Sequence, residues 1–156
     1  VQIEFIKYRI SIIKNGLLKV KWPGRFEIFS RNPLVILDGA HNEDSSLKLV
    51  ENLKSISNKE DVCFLTSILE DKDIGKILKN FSSVADKIVY TSLKDYHRGL
   101  GAKEMYDRDI YFDNRKYYEN MVEAYNEAKK SKIVVVAGSF YLLCEFRRVI
   151  ESENRL

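Results

Sequence analysis

Along this chain, short runs of consecutive apolar residues alternate with segments whose apolar positions recur every three or four residues. Residues 26–30 and 34–38 form two such runs around Arg31-Asn32-Pro33, the signature of a hairpin. After Asn42, the positions Leu47, Val50, Leu53 and Ile56 recur at helical spacing. Residues 62–68 predict a buried strand, Ile74, Ile77, Leu78 and Phe81 a helix face, and residues 87–92 another strand. A loop over residues 93–101 leads to a short helix and a brief strand at residues 110–112. Tyr117, Tyr118, Met121, Val122, Tyr125 and Ala128 then predict a helical stripe. Residues 133–137 are a continuous run of mostly β-branched residues, as expected of a strand covered on both faces, and Gly138-Ser139 opens a last helix over residues 140–150.

Strand alternating with helix predicts a Rossmann-like α/β fold. The sheet is expected to be doubly wound and mostly parallel, with six strands, one of them antiparallel, and helices on both faces. Upstream, Ile6, Ile10 and Ile13 predict a helix stopped by Gly16, and Trp22-Pro23-Gly24 breaks the chain. The first residue is Val in mid-pattern, which suggests a piece of a longer protein.

Composition narrows the classes. The 156 residues are 45% hydrophobic and 31% charged, enough for one domain with a real core. The net charge of +3 is slight and interspersed, so no clustered basic face points to nucleic acid. The apolar runs are too short to span a bilayer. Cys63 and Cys144 stand far apart with neither metal-ligand nor disulfide spacing, and a reducing cytoplasm is the expected compartment.

Ligands of open α/β sheets sit beyond the carboxyl ends of the strands. Asp38, residues 67–73, residues 92–98 and Gly138-Ser139 all fall there. Neither GxxxxGK[ST] nor GxGxxG occurs, and Glu43 and Asp44 in the first turn after Asn42 would repel a phosphate. Asp38 either accepts from vicinal ribose hydroxyls or shapes the turn with Asn42. His41 is an acid, a base or a packing ring, and Arg25 reaches a phosphate or is simply solvated. Ser139 either caps its helix or holds a bound carboxylate.

Four short stretches occur in a telling order. They are Trp22-Pro23-Gly24-Arg25-Phe26-Glu27, Asp38-Gly39-Ala40-His41-Asn42, Asp71-Lys72-Asp73 and Ala137-Gly138-Ser139-Phe140-Tyr141-Leu142. Together they resemble the C-terminal domain of folylpolyglutamate synthase/dihydrofolate synthase, within the Mur ligase superfamily, over residues 17–150. Glu43 stands where the family often has proline.

The resemblance implies an ATP-dependent ligase that joins L-glutamate to a folate or dihydropteroate carboxylate through an acyl phosphate. It places Arg25, Asp38 and His41 on the ATP face, with Arg25 and His41 as the catalytic candidates, and Lys72 and Ser139 on the incoming glutamate. It also implies that the phosphate loop and the Mg²⁺ ligands lie in a preceding central domain, so no metal ligand is expected in this segment. Residues 1–16 would be the tail of that domain, 17–24 a hinge, and 25–156 the glutamate-ligase domain, inactive alone. A cytoplasmic monomer with no nucleic-acid or membrane partner is the matching expectation.

Overall fold

The computed structural model describes residues 22–94 and 96–153. The helix expected before Gly16, the 1–16 tail and most of the 17–24 hinge lie outside the described residues. In chain order the elements are β1 (Glu27–Arg31), β2 (Leu34–Leu37), α1 (Glu43–Lys54), β3 (Val62–Thr66), α2 (Ile74–Ser82), β4 (Lys87–Thr91), α3 (Ala102–Arg108), β5 (Asn114–Tyr118), α4 (Met121–Ala128), β6 (Ile133–Ala137) and α5 (Phe140–Glu153).

The six strands form one sheet in the order β1-β2-β6-β3-β4-β5. β1 pairs antiparallel with β2, and every other pairing is parallel, as the alternation predicted. Successive side chains of a strand point to opposite faces, so each central strand feeds two cores. Ile36, Phe64, Ile88 and Val135 meet α1, α2 and α3 on one face. Leu37, Leu65, Val89 and Val136 meet α4 and α5 on the other.

Local chemistry starts the helices where the sequence places amides, acids and hydroxyls. Asn42 Oδ1 accepts from Ser45 N–H at 2.8 Å while the Ser45 hydroxyl accepts from Asn42 N–H at 3.1 Å, a reciprocal capping box. Asp73, Asn120 and Ser139 cap α2, α4 and α5 more simply, each side chain accepting from a backbone N–H of the first turn.

Three expectations change. The buried face of α1 is Ser46, Leu49, Val50 and Leu53, while Leu47 and Ile56 are exposed. Steps of three residues advance 300°, so Leu47 and Ile56 would stand on opposite sides of one helix, and the helix ends at Lys54 before Ile56 is reached. The last parallel strand is Asn114–Tyr118, which puts Tyr117 and Tyr118 on β5 and not on a helix. Residues 110–112 form no strand. Asp109 Oδ1 accepts from both Tyr111 and Phe112 N–H, at 2.8 and 3.3 Å, and this turn swings Phe112 into the core and leaves Ile110 exposed.

Candidate functional site

The strand order creates the site. α1 and α2, which follow β2 and β3, lie on one face, and α5, which follows β6, lies on the other. The chain therefore leaves β6 in the opposite direction from both neighbours, and a crevice opens on each side of the β6 end. Gly138 is the ridge between them. Its N–H donates to the Ala40 carbonyl at 2.9 Å on the β2 side. With φ at +131°, a Cβ there would come within 3.0 Å of Thr66 Oγ1 and the Ser67 carbonyl on the β3 side, so only glycine fits.

The crevice beside β2 holds Asp38, buried and braced by the chain itself. Its Oδ2 accepts from Phe26 N–H at 2.8 Å and its Oδ1 from Ala40 N–H at 2.9 Å. Burial pushes the carboxyl above its ordinary value, against those two hydrogen bonds and the Arg25 charge. Asp38 is thus a turn former, and each oxygen keeps a lone pair for an outside donor. The residue opens on a groove of about 600 Å³ shared with Arg25, Asn42, Lys48 and Asn52.

Phe140 is the centre of this crevice, a position that sequence reasoning assigned only to a helix start. Its ring covers Gly39 so closely that a Cβ there would lie under 3.0 Å from three ring atoms. The Arg25 guanidinium stands over the same ring, 5.3 Å from its centroid, and the His41 ring lies 5.9 Å away. The Gly39 carbonyl sits 2.7 Å from His41 Nδ1 and can only accept, so Nδ1 donates to it and the bond fixes the ring. Arg25 and His41 thus share the Phe140 ring, and Arg25 also lines the groove of Asp38.

Arg25 is held from behind. Gly24 lies at φ +71°, its N–H donates to Glu27 Oε2 at 2.7 Å, and its carbonyl accepts from Gly39 N–H at 2.7 Å. Glu27 is in turn bound by Arg147 of α5. Burial would raise the Glu27 carboxyl, but Arg147 and the Gly24 N–H outweigh it and hold it below the ordinary range. Gly24 is therefore tied to this domain through both its N–H and its carbonyl.

The crevice beside β3 holds Lys72, whose Nζ is 2.9 Å from Asp71 Oδ2. Ser139 is 1% exposed, and its hydroxyl accepts from Leu142 N–H at 3.1 Å, which is the capping role. Lys72 and Ser139 share no hydrogen bond or ion pair among the described residues. Also among the described residues, no group of three His, Cys, Asp or Glu could hold a metal ion, and no helix is long and apolar enough to cross a membrane.

Residues 24–140 match the family described as Mur ligase, glutamate ligase domain. The chain belongs to this family. It is 34% identical to the dihydrofolate synthase/folylpolyglutamate synthase of Bacillus subtilis (strain 168), over 87% of this chain and 32% of that protein. Escherichia coli FolC in complex with DHPP and ADP matches this Mur ligase domain with a TM-score of 0.78 and 29% identity, over 91% of this chain and 34% of that one. A bifunctional folylpolyglutamate synthase/dihydrofolate synthase with Mn, AMPPNP and L-glutamate bound matches with a TM-score of 0.73 and 27% identity, covering 85% and 32%. The chain spans about a third of the length of the relatives it matches.

Proposed function

We propose that this domain serves a cytoplasmic, monomeric ATP-dependent ligase that adds L-glutamate to folate or dihydropteroate, through an acyl phosphate from which the glutamate amine displaces phosphate. The observation that carries the reading is the convergence of Arg25 and His41 on Phe140, with Asp38 in the groove that Arg25 also lines, in a Mur ligase domain. The solved relatives with ADP or with AMPPNP, Mn and L-glutamate support it.

In this reading the spare Asp38 lone pairs accept from the ribose hydroxyls, and His41 presents Nε2 to the nucleotide face. Arg25 meets charge that develops on the transferring phosphoryl group. Lys72, with Ser139 at the start of α5, faces the glutamate. Mg²⁺, which neutralises phosphate charge, would be held mainly by a preceding domain, as the family resemblance implies. Residues 1–16 would end that domain, residues 17–24 would link the two as a hinge, and 25–156 would form the glutamate-ligase domain.

The test is steady-state kinetics on the full-length protein. ATP consumption is expected only with both glutamate and a folate or dihydropteroate substrate. Asp38→Ala should raise the ATP KM by about tenfold or more, from lost charge-assisted acceptors worth roughly 1.5–3 kcal/mol. Arg25→Ala should lower kcat more than it raises that KM. ATP kinetics unchanged in Asp38→Ala would leave that residue a turn former alone.

A further inference from the structure

The crevice beside β3 contains a second cation, one that the sequence did not single out. Asp71 is bound on both oxygens: Lys72 Nζ lies 2.9 Å from Oδ2, and the Arg98 guanidinium lies 3.0 Å from Oδ1. The Lys72 ammonium, with Arg98 behind it, holds the Asp71 carboxyl below the ordinary range.

Arg98 comes from the segment after β4, and the backbone sets its position. Glu70 N–H donates to the Arg98 carbonyl at 2.8 Å, Leu100 N–H donates to the Ile68 carbonyl at 3.1 Å, and Leu69 bridges Gly99. Two residues before Arg98, Tyr96 stacks on Tyr141 with ring centroids 3.8 Å apart. Tyr141 lies in the first turn of α5, which Ser139 caps. Segments following β3, β4 and β6 therefore meet around one carboxylate and two cations.

Stability does not account for this arrangement. Exposed ion pairs contribute little to folding, and the backbone bonds already join the two loops. Donor capacity points elsewhere. An ammonium offers three N–H donors and a guanidinium five, so Asp71 leaves most of them free. Two cations and one acid leave the cluster with one net positive charge. An acidic amino acid with its amine neutral for attack brings two carboxylates, one for each cation.

We infer that Arg98 is a carboxylate-binding residue of the amino-acid site, paired with Lys72, and that Asp71 holds the two cations apart and aimed. The assignment rests on the ligase reading above and deepens it. The site selects an acidic amino acid because each of its two carboxylates meets its own cation. An amide in place of one carboxylate leaves a cation unmatched.

The experiment uses the full-length enzyme with saturating ATP and folate substrate. Arg98→Gln should raise the L-glutamate KM by about tenfold, as expected when one charge-assisted contact is lost. Preference for L-glutamate over L-glutamine should fall by a similar factor, while the ATP KM stays put. Arg98→Lys should recover part of both. A lowered melting temperature with an unchanged glutamate KM would make Arg98 a loop tie and overturn the assignment. If the wild-type enzyme uses no ATP with glutamate, the ligase reading fails and takes this one with it. Wild-type activity combined with an unaltered KM in Arg98→Gln removes only the Arg98 assignment.

Discussion

The two crevices flanking β6 are built in opposite ways. Beside β2, the key carboxylate is buried, takes two backbone N–H groups, and lies next to a glycine covered by an aromatic ring. Beside β3, the charges are exposed and partner one another through side chains. A buried polar group left unpaired costs about 1–3 kcal/mol, so the first geometry is locked into the folding of the chain. Exposed ion pairs are close to neutral, so the second can trade partners when a ligand arrives. One side is preformed, and the other is poised.

Three substitutions test this contrast on the chain itself, by urea denaturation and melting temperature. Gly138→Ala should be the most damaging, at about 3 kcal/mol or more, because a new Cβ meets the Ser67 backbone and the positive φ adds strain. An unchanged urea midpoint would mean that the ridge between the crevices is slack. Asp38→Ala should cost about 2–4 kcal/mol, since the Phe26 and Ala40 N–H groups lose their acceptor. Lys72→Met should leave the melting temperature unchanged within error. A clear drop there would make the β3 side as structural as the β2 side.

Titration sharpens the comparison further. The Asp38 carboxyl is raised in the fold, so the folded chain keeps its proton longer than the unfolded chain does. Its contribution is greatest below its ordinary value of 3.8 and declines as pH rises through the window up to the raised value. Glu27 is shifted the other way. Its contribution is present above its ordinary 4.5 and is lost as pH falls toward the lowered value. Relative to wild type, Asp38→Asn should therefore gain stability with rising pH, while Glu27→Gln should lose it. Parallel slopes for the two variants would contradict the assigned causes.

Much of the fold was legible because burial on both faces leaves a plain pattern: residues 133–137 were read as the strand that forms. β5 was not, because an edge strand of sequence Asn-Arg-Lys-Tyr-Tyr exposes too much to alternate cleanly, and its two tyrosines fall in phase with Met121. Strand ends likewise pointed to Asp38, His41 and Ser139. The contacts that organise them did not show. Glu27 and Arg147 are 120 residues apart, and nothing local says that Phe140 will lie on Gly39. Arg98 showed only as the end of a segment after a strand, since its meaning comes from the fold bringing the segments after β3 and β4 together.

The central place of β6 also bears on how the chain assembles during synthesis. β6 is the last of these six strands to leave the ribosome, yet it lies between β2 and β3. Before residues 133–137 exist, β2 can pair only with β1, while β3 to β5 form a separate ribbon. A nascent chain stopped between Tyr118 and Ile133 therefore lacks the middle of its sheet and carries two raw inner edges exposed to aggregation. The same late strand that closes the fold brings the two crevices to their common ridge, so neither crevice has its Gly138 wall in an incomplete chain.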